Sequence, residues 1–194
     1  MGYVQSIREL LMQVAKPGMI VAEVGVWKGE ATMGYADIIA QNNGTLIVVD
    51  TFCGAPTVCG PHAYNLINSA DVCCQFISNV VRMVPNLVMI KADSLHAISM
   101  LQKHILDFCF IDADHRYSVV KKDIENYVQL IKPGGILSGH DLEQWYDDCP
   151  PHLPAELEID YSQEHHFGVS KAVSEWFQRD QVRIMDGTVW AVML

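Results

Sequence analysis

Five short, almost continuously apolar runs, near 19–25, 45–50, 87–91, 106–112 and 135–140, alternate with segments of helical periodicity near 30–42, 65–82, 94–103 and 117–131. A strand that is apolar on both sides must be covered on both faces, and the intervening helices are what can cover it. The alternation therefore constrains the chain to an α/β fold with a Rossmann-like, doubly wound, mostly parallel sheet. An amphipathic segment from Val4 to Val14 precedes the first run, and Pro17-Gly18 breaks the chain between them. After the fifth run the rhythm changes. A loop rich in proline and acids leads from Leu142 to a helix near Val169 to Arg179, and the β-prone runs VRIM and TVWAVML then flank Asp186-Gly187. A DG pair between such runs favours a hairpin, which completes a seven-stranded sheet with an antiparallel last strand. The 194 residues are read as a single domain, 1–194, with an N-terminal helix and a substrate-side loop at 142–166.

Composition narrows the partners. No apolar stretch approaches the ~20 residues that span a bilayer, and MGYVQSIREL lacks a basic segment followed by an apolar one, so no membrane partner is expected. The net charge of −10, with dispersed lysines and arginines, disfavours a grip on nucleic acid. The six cysteines, at 53, 59, 73, 74, 109 and 149, show no CxxC pair, and a reducing, cytoplasmic location fits them best. Cys149 with His152, His165 and His166 matches no familiar metal spacing, and these histidines read as solvated loop residues.

The segment EVGVWKGEAT, from Glu23, joins the end of the first apolar run to a glycine turn and a helix start. Such a turn brings the backbone close to a ligand. A GxGxxG dinucleotide fingerprint from Gly25 would need glycine at 27 and 30, where the chain has Trp27 and Glu30, so a nicotinamide cofactor is disfavoured. Asp50 closes the second apolar run, TLIVVD, where an acid can hold ribose hydroxyls.

Ligands of an open α/β sheet bind outside the carboxyl ends of its strands, and there the chain places Asp50, Asp93, Asp112 and the pair His140-Asp141. Asp93-Ser94 also suits a helix cap. Asp112 and Asp114 share a side if strand geometry persists, whereas His140 and Asp141 point oppositely unless the chain turns between them. Neighbouring parallel strands are about 4.8 Å apart, so Asp112 and the His140-Asp141 pair can converge on one ion such as magnesium or manganese. The alternative is that His115 and His140 satisfy loop backbone groups while Asp112 caps the next helix.

Taken together, EVGVWKG, VVDTF, KADS and above all DFCFIDADHRYSVVKKDIENYVQLIKPGGILSGHDL resemble the class I S-adenosylmethionine-dependent methyltransferases. The likeness is to the small-molecule branch with the catechol, caffeoyl-CoA and macrocin-type O-methyltransferases. It implies that Glu23, Gly25 and Gly29 meet the methionine end of S-adenosyl-L-methionine. Asp50 and Thr51 would meet the ribose and Asp93 and Ser94 the adenine, and Asp112 is counted with the cofactor-binding residues. It further implies that Asp112, His140 and Asp141 hold a divalent metal ion such as Mg2+, with His140, Asp112 and His115 as catalytic residues. His140 stands where a carboxylate is the rule, so it ligates or takes the substrate proton itself.

The expected activity is methylation of a hydroxyl of a small-molecule acceptor, in a chain that the resemblance allows to be a homodimer. The acceptor would be covered by the N-terminal helix, by Cys53 to His62, and by a tract carrying Trp145, Tyr146, Tyr161, His165 and His166. A non-catalytic S-adenosylmethionine-binding protein is the main alternative, and an NAD(P)-dependent oxidoreductase a weaker one.

Overall fold

In the computed structural model, which describes residues 2–54, 69–160 and 165–194, the five apolar runs form strands. They are β1 (Ile20–Val24), β2 (Thr45–Asp50), β3 (Asn86–Lys91), β4 (Leu106–Ile111) and β5 (Ile131–Gly139). The short strands β6 (Arg183–Ile184) and β7 (Trp190–Met193) follow. All seven join one sheet in the order β3-β2-β1-β4-β5-β7-β6. The first five are parallel, and β7 runs antiparallel to both β5 and β6. The order reverses between β1 and β4, and at such a switch point the connections leave in opposite directions and open a crevice.

Among the described residues six α-helices cover the sheet: α1 (Gly2–Val14), α2 (Glu30–Gln41), α3 (Ser69–Val80), α4 (Ser94–Ala97), α5 (Tyr117–Val128) and α6 (Phe167–Trp176). Strand side chains alternate between two cores. Val21, Phe108 and Phe110 pack with Leu11 of α1, Tyr35 of α2 and Phe76 of α3. Ala22, Cys109 and Ile111 pack with Ile124 and Tyr127 of α5 and Val173 of α6. Each fully buried Phe, Leu or Ile contributes about 2 kcal/mol by removal from water, so both faces are held by many such increments. At the amino edge of the sheet, buried Asp107 accepts the Ile20 N–H (2.8 Å) and pairs with Lys16 (2.7 Å) and Lys132 (2.9 Å), tying the starts of β1 and β5 to β4. Among the described residues no helix is long and apolar enough to cross a membrane.

Several elements depart from the periodicity. The helix expected over 94–103 is α4 followed by a 3-10 turn at Ile98–Met100. β5 starts at Ile131 rather than 135, because the Pro-Gly-Gly segment is absorbed as an irregularity in its pairing with β4. β3 is not covered on both faces: it is an edge strand, with Val88 and Met89 both exposed. The DG turn is a three-residue 3-10 turn, Asp186–Thr188, closed by the Met185 N–H to Val189 O bond (2.8 Å). Gly187, at φ +70°, lies so close to α1 that a Cβ there would be 2.5 Å from the Tyr3 backbone nitrogen. That close approach sets Tyr3 at the mouth of the crevice. Most of Cys53 to His62, and Tyr161, fall outside the described residues.

Among the described residues one enclosed carboxyl of α5 has no aligned hydrogen-bond partner. Asp123 of α5 is fully buried, and neither of its oxygens has an aligned hydrogen-bond partner. Burial pushes it up to about 7 against a partial pull from Ser94, and the charges of Asp93 and Asp114 add to the rise. A carboxyl whose pKa is higher folded than unfolded stabilises most below its unfolded value of 3.8 and loses that contribution as pH climbs through about 7. Wild-type stability should therefore fall by on the order of 3 kcal/mol between about pH 4 and pH 7 from this group alone. Calorimetric unfolding of Asp123→Asn should lack that part of the fall, and parallel profiles for the two proteins would contradict the assignment.

Candidate active site

At the carboxyl edge of β1 the backbone turns through Gly25, at φ +84°, with its N–H bonded to Val49 O (2.9 Å). A Cβ at Gly25 would lie 2.1 Å from the backbone oxygen of Asp112, so the end of β4 leaves room only for glycine. Gly29 caps α2 at φ +84°, but its open side faces Val80 and Phe76 of α3, behind the turn rather than on the crevice wall. Asp50 holds the turn from β2: Oδ2 accepts the N–H groups of Val26 (2.7 Å) and Trp27 (2.8 Å), and Oδ1 that of Phe52 (2.6 Å). Three of a carboxylate's roughly four acceptor positions are then filled by backbone, which leaves Asp50 limited capacity for a ligand. Glu23 is buried, and its Oε2 accepts from Thr32 Oγ1 (2.6 Å) and from the Tyr35 hydroxyl, both on α2. Burial raises its carboxyl to about 7 despite those two donors. Asp93 caps α4 by accepting the Leu95 N–H (2.9 Å), as its sequence context suggested.

These elements enclose a cavity of about 630 Å³, a size suited to a nucleoside and a small partner. One wall carries Gly25, Trp27, Asp50, Thr51, Asp93 and Ser94. The other carries Tyr3, Asp112, His115, Asp141, Asp160 and His166.

The second wall grows from β4 and β5. Asp141 adopts φ +59°, and this left-handed turn brings His140 and Asp141 to the same side, where a continuing strand would have separated them. His140 Nδ1 lies 3.2 Å from Asp141 Oδ1 and 3.5 Å from Asp112 Oδ1. Its ring centroid is 5.0 Å from that of Tyr3. His115 Nε2 lies 3.0 Å from Asp141 Oδ2 and 3.5 Å from Asp112 Oδ1. Yet this nitrogen is enclosed and, among the described residues, has no aligned hydrogen-bond partner. The structure thus brings together Asp112, His115, His140 and Asp141. Asp114 is drawn aside by Arg116, whose Nε (3.0 Å) and terminal nitrogen (2.6 Å) both bind its carboxylate.

Burial opposes charge on both histidines, but the carboxylates win. Asp112 and Asp141 raise His140 to about 10, and the same pair with Asp160 holds His115 well above the usual imidazole range. In turn His115 and His140 hold Asp112 and Asp141 below the carboxylate range in spite of burial. Without a further cation, both imidazoles are protonated at neutral pH, a state in which they donate hydrogen bonds and accept no proton.

His166 of the expected acceptor tract joins this wall, and two carboxylates that the sequence reading did not single out, Glu143 and Asp160, hold its histidines. His166, read as a solvated loop residue, has only 15% of its side chain exposed and lies 3.8 Å from Asp141 Oδ1. Glu143 binds it twice, Oε2 accepting its backbone N–H (3.1 Å) and Oε1 lying 2.7 Å from its Nδ1. Asp160 accepts the His115 backbone N–H (2.8 Å). Only their burial marks them, and no spacing relates them to the β4 and β5 ends. Conversely, Trp145 is buried in the second core under Arg179, so it packs rather than meets an acceptor. Tyr146 and His152 bond to each other (3.2 Å), and His152 stacks on Phe167 at 4.2 Å, at a separate surface. His165 also stacks on Phe167, at 5.5 Å.

Comparison with solved structures returns the same architecture at low identity. A candidate caffeoyl-CoA O-methyltransferase from Staphylococcus aureus is 15% identical, with a TM-score of 0.65, and the match covers 99% of this chain and 83% of that one. A candidate rRNA-methylase from Clostridium thermocellum is 10% identical, with a TM-score of 0.64 and coverage of 100% and 97%. An O-methyltransferase from Bacillus cereus, solved in complex with SAH, is 18% identical, with a TM-score of 0.58 and coverage of 99% and 79%. No curated protein matches by sequence. The sequence profile described as "Methyltransferase domain" matches residues 22–142, from the middle of β1 to just beyond Asp141. With more than half of its length in that match, the chain belongs to the methyltransferase domain family, as a class I S-adenosylmethionine-dependent enzyme.

Proposed function

We propose that the protein methylates a hydroxyl of a small metabolite, with the whole of 1–194 working as one domain and the 142–166 segment flanking the acceptor. The observation that carries this reading is that Asp112, His115 and Asp141 line the same cavity as Gly25, Asp50 and Ser94. Donor and acceptor chemistry then share one enclosure. Glu23, Gly25, Asp50, Thr51, Asp93 and Ser94 are assigned to the cofactor, and Gly29 to the shape of the turn behind it. A small acceptor is favoured over nucleic acid by the net charge of −10, and the likeness to an rRNA-methylase is one of fold. The five cysteines among the described residues are free, which supports a reducing cytoplasm.

S-adenosylmethionine supplies a methyl group already activated by its sulfonium, so the chain has to align an acceptor and remove its proton. Alignment alone supplies on the order of 7 kcal/mol in well-oriented systems. Protonated His140 is placed to donate to an acceptor oxygen, and Asp141, set between the two imidazoles, holds them in orientation. The donor set also fits a divalent cation, because one atom from each of Asp112, His140 and Asp141 lies within 4.8 Å of the others. The enclosed, unaligned His115 Nε2 beside them has the orientation of a ligand rather than of a hydrogen-bond donor. Held by those residues, a divalent ion would bind the acceptor oxygen and lower the pKa of its hydroxyl.

Incubation with methyl-labelled cofactor and a panel of vicinal diols, catechols and hydroxylated sugars should give a labelled ether. Asp141→Ala should reduce its formation by about 100-fold or more. Undiminished turnover after chelation would remove the ion from the reading and leave the transferase in place. Cofactor binding without a labelled product from any hydroxylated acceptor would overturn the proposal in favour of a non-catalytic binder.

A further inference from the structure

Asp141 is shared by two groups of candidate ligands: Asp112 with His140 on one side, and His115 with His166 on the other. The second group adds two imidazoles to Asp141, one of the carboxylates that the strand ends supply. One atom from each of His115, Asp141 and His166 lies within 4.8 Å of the other two, and the two imidazole rings are 4.8 Å apart and tilted by 50°.

Each of these imidazoles is oriented by a carboxylate of its own from a different segment. Asp160 Oδ1 accepts the His115 backbone N–H (2.8 Å) and lies 3.3 Å from its Nδ1, which turns Nε2 inward toward Asp141. Glu143 grips His166 through its backbone N–H and its Nδ1, the nitrogen that also lies 3.8 Å from Asp141 Oδ1, so the ligand role at His166 falls to Nε2. A carboxylate behind an imidazole fixes the ring, and this is the outer arrangement that accompanies histidine ligands to metals. A purely structural ion-pair cluster would align the enclosed His115 Nε2 with a carboxylate oxygen. Instead it approaches Asp141 Oδ2 to 3.0 Å without hydrogen-bond alignment.

We propose that His115, Asp141 and His166 bind a divalent first-row transition metal, of the zinc, iron or manganese class, in preference to magnesium. Imidazole nitrogens suit such borderline cations, whereas magnesium selects oxygen donors and retains its water. Asp160 and Glu143 act as positioning residues for the two histidine ligands. The assignment deepens the acceptor site proposed above, since the two share Asp141, but it stands on geometry that does not depend on methyl transfer.

The test uses the full-length chain freed of metal by chelation. Cobalt(II) binding is followed by visible absorption, and zinc and magnesium binding by calorimetry. One equivalent of cobalt or zinc is expected to bind at least about 100-fold more tightly than magnesium. His115→Ala and His166→Ala should each weaken cobalt binding by about 100-fold, and Asp160→Asn by about 10-fold. His96→Ala, at an exposed histidine of α4 that belongs to neither group of candidate ligands, should leave cobalt binding unchanged. Circular dichroism and S-adenosylmethionine binding are recorded for each variant, with His166→Gln as a second, milder change in case truncation perturbs folding.

Magnesium binding as tight as zinc would overturn the proposal. So would cobalt binding that survives loss of both histidines, while leaving the methyltransferase reading intact. Tight, histidine-dependent binding in a protein that methylates no hydroxyl would uphold the metal site and defeat the proposed function instead.

Discussion

Asp112→Ala is expected to lower kcat/KM for methyl transfer by roughly 1000-fold, about 4 kcal/mol of transition-state stabilisation. Asp112 ends β4 at the reversal of strand order, and its Oδ1 lies 3.5 Å from both His115 Nε2 and His140 Nδ1. Removing it withdraws one of the charges that hold those rings in place, on the cavity wall that the acceptor must approach. Asp112→Asn keeps the shape and loses the charge, so it should fall within about tenfold of the alanine variant if charge is what matters. Cofactor affinity, measured by calorimetry, should change far less than kcat/KM in both. The His140 imidazole, which Asp112 helps raise to about 10, should titrate lower in either variant when followed by NMR. A rate within tenfold of wild type would show that Asp112 neither orients nor activates the acceptor.

The largest effect on the folded state is expected from Gly25→Ala. At φ +84° an alanine carries backbone strain of about 1–2 kcal/mol. Its Cβ would also meet Asp112 O at 2.1 Å, Asp112 C at 2.5 Å and Ala113 Cα at 2.6 Å. All three are backbone atoms of the segment leaving β4, so no side-chain rotation relieves the clash. The end of β1 must separate from the end of β4, and a total loss of roughly 4 kcal/mol follows. For a chain of this length that corresponds to a fall in Tm of about 10 °C. Gly18→Ala isolates the strain, because Gly18 has φ +72° and nothing within 4 Å of the added methyl. Thermal unfolding should rank Gly25→Ala well below Gly18→Ala, and S-adenosylmethionine affinity should drop only in the former. Equal losses of Tm would mean that the turn yields to the extra methyl.

Where the reading of the sequence succeeded, short-range chemistry was in charge. The apolar runs of β1, β2 and β4 specify strands covered on both faces whatever surrounds them, and the Asp93 cap is settled within two residues. Where it failed, the outcome depended on a distant partner. β3 carries the same apolar content as β2 yet is exposed, because edge position is a property of the whole sheet and not of NLVMIK. Asp50 shows the same dependence: the turn that follows β1 offers it the N–H groups of Val26 and Trp27, and Phe52 offers a third, contacts that the run TLIVVD does not announce. Trp145 and His166 belong to one expected acceptor tract, yet the indole packs inside and the imidazole joins the cavity wall, since loop composition says nothing about which residue the fold encloses.

By itself the order of residues determined the element types, the parallel sheet, and which strand ends bear acids, because periodicity and turn chemistry act over a few residues. The tertiary structure alone decided that Asp141 turns back beside His140 and that His115 and His166 meet it. The reason is physical: that convergence joins residues up to 51 positions apart, from His115 to His166, through ion pairs that exist only after β4, β5 and α6 have packed.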